Sequence, residues 1–284
     1  MHSNSHTDKK GSLYITATPI GNMGDITLRS LETLRKVDII AAEDTRHTGK
    51  LLAHYEIKSK LIAIHEHNEM KISSKIISEI NSGKSVAIVS DAGTPCVSDP
   101  GYVLVREALK SDIEVVPIPG VSAVITAVSA SGLPSDSFIF QGFPPKKNGK
   151  RKELLKSLKD EKRTLIFYNS PSRIAAFIEE LLSIFGEREA VLSREMTKIY
   201  EEFIRGNFSE ILQKLSLKSK IKGECTLIIE GGKEETISLT ELKKYVKQEV
   251  VNSDSGTLQL AKEIAKKFNI PKKKIYDLIL EIKN

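Results

Sequence analysis

Two kinds of cluster in this chain carry residue types that do chemistry. The first is a set of three loops rich in glycine and proline: Thr18-Pro-Ile-Gly-Asn-Met-Gly-Asp25, Asp91-Ala-Gly-Thr-Pro-Cys-Val-Ser-Asp-Pro-Gly101 and Pro119-Gly-Val-Ser-Ala123. Glycine lets backbone approach a ligand closely and offers N–H and C=O groups directly. Proline sets a loop's shape in advance and so lowers the ordering cost of binding. Such loops suit a ligand read through backbone, for instance an adenine or an amino-acid group; each loop taken singly reads equally well as a tight turn. The second kind is a pair of polar runs, Glu43-Asp-Thr-Arg-His47 and His65-Glu-His-Asn-Glu69, which bring carboxylates, imidazoles and a guanidinium together. These are the groups of acid–base chemistry and of anion contact. They are also groups that merely hydrogen-bond a loop.

The elements that must hold these clusters are short apolar strands. Strands are expected at Ser12 to Ala17, Val37 to Ala42, Leu61 to Ile64, Ser85 to Val89 and Glu114 to Ile118, and every cluster follows one of them. Helices alternate with the strands. One is expected after Thr27, a plausible cap, with Leu28, Leu31 and Leu34 at helical spacing; another carries Ile72, Ile76, Ile77 and Ile80 and stops at Asn81-Ser-Gly83. Strand, loop and helix in repetition mean βαβ units and a mainly parallel sheet, whose ligands bind at the carboxyl ends of the strands. Ser131-Gly-Leu-Pro-Ser135 reads as a junction, after which the pattern restarts. The second series has strands at Phe138 to Phe140, Thr164 to Tyr168, Ala190 to Ser193 and Cys225 to Ile229, with helices after Ser170-Pro-Ser172 and near Phe208 to Leu215. The expected organisation is a disordered lead-in over 1–11, an α/β domain over 12–132, a second over 133–232 and a helical extension over 233–284. In the extension a helix pair, Leu258 to Lys267 and Ile275 to Leu280, breaks at Ile270-Pro271.

Composition narrows the class. The chain has 284 residues, 40% hydrophobic and 28% charged, and no apolar run near the roughly 20 residues a membrane span requires. The first ten residues are polar, so no secretory leader is expected; His2 and His6 read as loose tail residues. Cys96 and Cys225 are too far apart for a CxxC pair, which fits a reduced, cytoplasmic protein, and no histidine has a convincing metal-ligand partner, so no metal is expected. Net charge is +6, and the segment Lys146 to Arg163 holds nine Lys/Arg against three Asp/Glu. Lys146, Lys147, Lys150, Arg151 and Lys152 there are candidates for phosphate contact, with a solvated helix face as the plain alternative. Phe138, Phe140 and Phe143 nearby read as core and junction packing. The extension from Lys233 carries 11 Lys and 8 acidic residues, which suits either an RNA-binding appendage or simple packing. There is no GxxxxGK[ST] and no GxGxxG after the first strand, so neither a P-loop nor the usual dinucleotide fold fits. Composition and spacing stop at a ligand-binding α/β protein.

A resemblance carries the reading further. The segments Thr18 to Arg29, Ala42-Glu-Asp-Thr-Arg-His47, His65-Glu-His-Asn68, Val89 to Pro95 with Ser98-Asp-Pro-Gly101, and Pro119 to Ala123 closely resemble the tetrapyrrole-methylase superfamily. Within it they are most similar to the branch that methylates ribosomal RNA. The likeness runs in order from about Leu13 to Ile229. It implies a homodimer of two α/β domains with S-adenosylmethionine in the cleft between them, and methyl transfer to the ribose 2′-oxygen of a cytidine in the decoding region of 16S rRNA. Carried over by motif, Pro19 would line the cofactor pocket, Asp91, Ala92, Gly93, Thr94 and Val97 would wrap it by backbone, Ser122 and Ala123 would close the next side, and Tyr168 would reach in from the second domain. One stretch departs: the branch reads Tyr-Glu-Ser-Pro-His-Arg where this chain reads Tyr168-Asn-Ser-Pro-Ser-Arg173, so roles tied to that acid and imidazole do not transfer.

Methyl transfer from a sulfonium is an in-line displacement, in which positioning contributes several kcal/mol. A ribose hydroxyl is a weak nucleophile and gains from a base or a neighbouring cation. The candidates are Glu43, Asp44, Arg46, His65, Glu66 and His67. Two other functions stay open: methylation of a small anionic tetrapyrrole, and RNA binding without catalysis around a relic cleft.

Overall fold

The computed structural model describes residues 11–232, 239–253, 256–268 and 270–283. Apart from Gly11, the expected lead-in with His2 and His6 lies outside them. The described chain forms two compact units, one ending at Gly231 and the other beginning at Gly232.

The first unit opens with β1 (Ser12–Thr16), α1 (Leu28–Lys36), β2 (Ile39–Ala42), α2 (Thr45–His54), β3 (Lys60–Ala63), α3 (Glu69–Asn81), β4 (Val86–Val89), α4 (Tyr102–Lys110), β5 (Glu114–Ile118) and α5 (Ala123–Ser131). Its five strands are all parallel, in the order β3-β2-β4-β1-β5. Every residue of β2 and β4 is buried, as a sheet covered on both faces requires. Along β4, Val86 and Ile88 pack with Ile76 and Ile80 of α3 and Leu104 and Ala108 of α4. Ala87 and Val89 pack on the other face with Leu31 and Leu34 of α1 and Leu52 of α2. Each fully buried aliphatic side chain of this kind contributes about 1.5–3 kcal/mol. Thr27 caps α1 by accepting the Ser30 amide; Leu28, expected on the apolar stripe, is 79% exposed, and Leu31 and Leu34 carry the packing instead.

The direction of winding reverses inside this sheet. The chain moves outward from β1 to β2 to β3 with helices on one face, then back from β3 to β4 and past β1 to β5 with helices on the other. Right-handed crossovers force that change of face. The loop after β4 therefore lies between the loops after β2 and β1, whose helices leave on the opposite side. Such a switch point opens a crevice at the carboxyl edge.

The same unit continues with β6 (Phe138–Gly142), α6 (Asn148–Leu158), β7 (Thr164–Asn169), α7 (Ile174–Phe185), β8 (Glu189–Arg194), β9 (Glu202–Asn207), α8 (Phe208–Ser216) and β10 (Cys225–Ile229). The order is β6-β7-β10-β8-β9; β6 pairs parallel with β7, and β10 runs antiparallel to both β7 and β8. Strands β6, β7 and β8 share one direction. The antiparallel edge strand β9 is not foreseen from the sequence: Glu202, Arg205 and Asn207 interrupt its apolar residues, as suits an edge that must not aggregate. Helices α6, α7 and α8 bury one face of this sheet, with Leu155, Phe177, Ile178 and Phe208 at the centre. The other face meets α5: Val124, Ala127 and Val128 pack against Ile166, Val191 and Ile228. Helix α5 thus belongs by sequence to the first sheet and by packing to the second.

In the second unit α9 (Leu239–Asn252), α10 (Thr257–Phe268) and α11 (Lys272–Lys283) enclose a small core of Leu242, Val246, Leu260, Ile264, Ile275 and Ile279. Among the described residues no helix is long and apolar enough to cross a membrane.

Candidate active-site cleft

The crevice predicted by the winding is present. A cavity of about 400 Å³ opens between the two sheets, a size that accommodates a nucleoside-scale ligand. Loops from one sheet edge supply Ile20, Glu43, Asp91, Ala92, Ser98, Asp99 and Ala123; the second sheet supplies Phe143, Tyr168, Asn169 and Met196 among others. A smaller hollow of about 210 Å³, lined by Pro19, Gly21 and His47, shares Ile20, Asp91, Ala92 and Glu224 with it.

The three glycine-rich loops are stitched together before they meet any ligand. Thr18 and Gly93 exchange both backbone hydrogen bonds, at 2.9 and 3.0 Å. Gly93 holds φ at +85°, a left-handed conformation that costs glycine little. The Thr18 hydroxyl donates to the Ser90 carbonyl at 3.1 Å, and the Thr94 hydroxyl donates to the Val121 carbonyl at 3.1 Å. A Cβ on Gly120 would lie 2.8 Å from that of Ala17, so only glycine lets the third loop reach the first. The loops are preorganised, which lowers the entropy lost on binding.

This stitching sorts the expected cofactor contacts. Asp91, Ala92, Ala123 and Tyr168 line the main cavity, and Pro19 the smaller hollow. Gly93 has both backbone groups on Thr18 and the Thr94 hydroxyl is engaged by Val121, so both residues join loops, and neither lines the main cavity. Ser122 precedes α5 at its N-cap without a side-chain capping bond, and Val97 is exposed on the loop after β4.

The polar runs fare unequally. Glu43 lines the cavity, and burial, with the Asp91 charge second, raises its carboxyl above the ordinary value. Asp44 does not line it. Its carboxylate caps α2 by accepting the Arg46 amide at 2.8 Å, and it takes both arms of the Arg46 guanidinium, at 3.1 and 2.7 Å. The Arg46 side chain holds the Asp44 carboxyl well below the usual carboxylate range and is itself 88% exposed. His65 and His67 are exposed with their rings 6.1 Å apart, and neither lines the cavity. In that run Asn68 closes the turn by accepting the His65 amide at 2.8 Å. Glu69 accepts the Gly101 and Val103 amides at 2.8 and 2.9 Å, an anion at the start of α4. Asp44 and Arg46 thus sit at the cap of α2 and His65 and His67 at the surface, and none of the four lines the main cavity. His65 and His67 follow β3, an edge strand separated from β4 by β2, whereas Asp44 and Arg46 follow β2 itself and are taken up by the cap of α2.

The basic segment becomes α6 and the turn before it. Lys146, Lys147, Lys150 and Lys152 are exposed; Arg151 is half-buried, tying α6 to α7 through Glu180 at 2.5 Å and bonding the Pro145 and Lys146 carbonyls at 3.3 Å. Phe138 and Phe140 pack against the second sheet as expected, but Phe143 does not: it is 57% exposed, lines the cavity, and stands 5.5 Å from the Tyr168 ring.

Several cavity residues escaped the sequence reading, Asp99, Asn169 and Met196 among them. Asp99 sits in the Ser98-Asp-Pro-Gly101 segment that carries the resemblance, where it is assigned no role of its own. Its carboxyl is pushed up to about 6, chiefly by burial and then by Glu43. The Tyr168 hydroxyl is pushed up to about 12, again mainly by burial, so it stays protonated near neutrality. Among the described residues no group of three or more His, Cys, Asp or Glu is placed to hold a metal ion.

Comparison with known proteins agrees with this geometry. Residues 12–212 match the family described as Tetrapyrrole (Corrin/Porphyrin) Methylases. A protein of Halalkalibacterium halodurans named Ribosomal RNA small subunit methyltransferase I is 42% identical over 98% of both chains. One of the same name from Escherichia coli O157:H7 is 48% identical over 81% of each. Among solved structures, a uroporphyrin-III-C-methyltransferase from Thermus thermophilus aligns over 78% of this chain and 94% of its own with a TM-score of 0.57 at 21% identity. A structure of that enzyme complexed with S-adenosyl homocysteine aligns with a TM-score of 0.55 at 16% identity, over 78% of this chain and 97% of its own. At that identity the structures speak to the fold alone.

Proposed function

The chain belongs to the tetrapyrrole methylase family, and we propose that it moves a methyl group from S-adenosylmethionine to the ribose 2′-oxygen of a cytidine in the decoding region of 16S rRNA. The observation that carries this is the preorganised cleft at the switch point, in a chain that matches a named rRNA methyltransferase along 98% of its length. The cleft fits the donor. It has apolar walls for an adenosine, in Ile20, Ala92, Ala123 and Met196, and polar groups at its rim. Pro19, Asp91, Ala92, Ala123 and Tyr168 would contact the donor, with Ser122 and Val97 at the entrance and Gly93 and Thr94 fixing the loops behind it. When bound, the donor supplies an electrophilic methyl carbon. The chain's own residues hold the hydroxyl in line and exclude water, and Glu43 faces the reaction space as an acid–base group.

The RNA would lie with its phosphates toward Lys146, Lys147, Lys150 and Lys152, whose exposed positions precede and open α6. A tetrapyrrole substrate fits less well. Such polycarboxylates would add negative charge to a cleft already lined by Glu43, Asp91, Asp99 and Glu224, whereas RNA needs to bring in only a sugar. We further propose that residues 12–132 and 133–232 act as two lobes around the cleft, that 233–284 is an appendage, and that the working form is a cytoplasmic homodimer needing no metal.

The test is to incubate the protein and radiolabelled S-adenosylmethionine with small ribosomal subunits, free 16S rRNA or a precorrin. Label in RNA, recovered as 2′-O-methylcytidine and indifferent to a chelator, is expected. Label in the precorrin alone overturns the proposal, and RNA binding with no label anywhere supports a non-catalytic role.

A further inference from the structure

Strands β6, β7 and β8 share one direction, so the turns that follow them lie along one edge of the second sheet, the edge that faces the cavity. Phe143, Ser170 and Met196, one from each turn, all line it. The turn after β8 is held with unusual firmness. Glu195 and Thr197 take φ of +50° and +66°, left-handed values that a residue with a Cβ adopts only when its surroundings hold it. The Thr197 amide donates to Glu201 at 2.6 Å, and the Thr197 hydroxyl accepts the Asn22 amide at 3.0 Å, which ties the turn to the loop after β1. Lys198 reaches Glu195 at 2.9 Å and Glu224 at 3.1 Å. Glu195 also accepts the Glu224 amide at 3.0 Å, so the segment before β10 is bound in as well.

At the tip of this fixed turn stand two side chains that face solvent: Ile199 is 95% exposed and Tyr200 76%. A single exposed apolar residue such as Leu28 needs no explanation. An adjacent aliphatic and aromatic pair, carried on a strained turn at the rim of a cleft, has a different standing, because the strain is borne to present it. The carboxylates beside the pair are engaged: Glu195 and Glu224 by Lys198, Glu201 by the Thr197 amide, and Glu202 by Arg194 and Lys218 at 3.1 and 2.8 Å. Lys220 and Lys222, in the segment before β10, are exposed, and Arg194 bonds the Lys222 carbonyl, which keeps that segment beside the turn. A flat ring in a setting of neutralised acids and exposed lysines suits the face of a nucleobase with its phosphate close by. A protein partner fits less well, since two side chains offer a small part of the roughly 800 Å² per partner that stable association buries.

We propose that Ile199 and Tyr200 form a stacking platform for one unpaired base of the RNA, beside the nucleotide that is methylated. The inference rests on the reading of the substrate as RNA. The turn after β8 and the turn after β6, which carries Lys146 and Lys147, are separated by three strand spacings, roughly 14 Å. A strand of RNA laid along that edge meets lysines at one end and the Tyr200 ring at the other, and the sugar between them enters the cleft. Drawing a nucleotide out of its stack costs free energy. An aromatic platform outside the cleft offsets that cost, and because every base has a π-face it does so without reading sequence.

The test measures methyl transfer to small ribosomal subunits for the parent protein, Tyr200→Ala, Tyr200→Phe and Tyr200→Trp, with donor affinity by calorimetry and oligomeric state by sedimentation. Tyr200→Ala is expected to raise KM roughly 5- to 150-fold with kcat within about twofold. Tyr200→Phe and Tyr200→Trp keep a ring and should stay within about threefold of the parent's KM. Donor affinity should stay within about twofold in all three, which also reports that they are folded. A second readout needs no turnover: the chain has no tryptophan, so Tyr200→Trp places a lone indole at the tip, and its emission should be quenched as free 16S rRNA is added. An unchanged KM in Tyr200→Ala, a KM raised as much in Tyr200→Phe as in Tyr200→Ala, or an indole emission that RNA leaves untouched each overturns the platform. So does a Tyr200→Ala protein that sediments as a smaller species than the parent, because the tip then seats a second copy of the chain. All four outcomes leave the substrate reading standing as long as the parent labels RNA. A parent that labels a precorrin and no RNA overturns the substrate reading, and the platform falls with it.

Discussion

The loops after β1, β4 and β5 and the run after β3 occupy equivalent places, at the carboxyl ends of strands in one parallel sheet, yet they do different things. The inner three are cross-linked through Thr18–Gly93, Thr18–Ser90 and Thr94–Val121, and together they wall a cavity. The outer run satisfies itself: Asn68 closes its turn and Glu69 caps α4. The loops after β4 and β1 flank the position where winding reverses; the loop after β5 hangs from an edge strand, as the run after β3 does, but reaches them through Thr94–Val121 and the close approach of Gly120 to Ala17. Residue type does not separate them. The outer run, with two histidines and two glutamates, looks richer in chemistry than Asp91-Ala-Gly-Thr94. Contact with the loops at the switch point decides, and such contact is a property of the fold that no single segment displays.

That contrast shows what a reader of the sequence can see. The β-rich runs ending in glycine loops, the Thr27 cap, the helix over Ile72 to Ile80 and the break in the pattern at Gly132, where α5 ends, are all local patterns, and each is found in the structure. Asp91, Ala92, Ala123 and Tyr168 came from motif resemblance and do line the cavity. Missed features are those fixed by distant partners. The strand β9 is polar because it is an edge, α5 serves the second sheet though it follows the first, and Arg151 is held by Glu180 on the next helix. Asn169 reads in sequence as the loss of an acid; only the structure shows it buried, with its amide nitrogen lacking a partner.

Breaking the inner region should cost most at its tightest contact. Gly120→Val would drive side-chain atoms into Ala17, and overpacking of this kind costs about 1–3 kcal/mol. The expected result is a fall in melting temperature of roughly 2–4 °C for each kcal/mol, and at least a tenfold loss of S-adenosylmethionine affinity by calorimetry. Retained affinity would mean the loops need no mutual stitching. Thr94→Val removes one stitch while keeping the shape. Losing its hydrogen bond to the Val121 carbonyl should cost roughly 1 kcal/mol in urea unfolding, with a smaller loss of donor affinity than Gly120→Val.

The inner region should also be strained by charge. The Asp99 carboxyl lies at about 6 when folded, against 3.8 for an ordinary aspartate. A raised acid favours its protonated form, so its contribution to stability is present below pH 3.8 and is lost as pH rises through about 6. Full shielding would make the penalty roughly 3 kcal/mol; with Asp99 partly exposed, solvent reduces it to the order of 1 kcal/mol. Asp99→Asn should therefore melt a few degrees higher than the parent at pH 8 and match it below pH 4. Equal melting at pH 8 would place Asp99 among the surface acids, with the outer run.

The smallest effect belongs to the outer region and bears hardest on the comparison. His65 and His67 are exposed and outside the cavity. His65 takes part in the turn through its backbone amide, which a substitution leaves intact. Substitutions at such surface positions usually stay within about 0.5 kcal/mol. His65→Ala and His67→Ala, singly and together, should keep the parent's melting temperature within about 2 °C, and methyl transfer to small subunits within about twofold. If the double variant instead loses methyl transfer with its fold intact, the run after β3 feeds the reaction after all. Contact with the crevice would then not be what separates a catalytic loop from a structural one in this fold. If only RNA affinity falls, with kcat unchanged at saturating substrate, the histidines lie on the path of the RNA and the inner loops keep the chemistry to themselves.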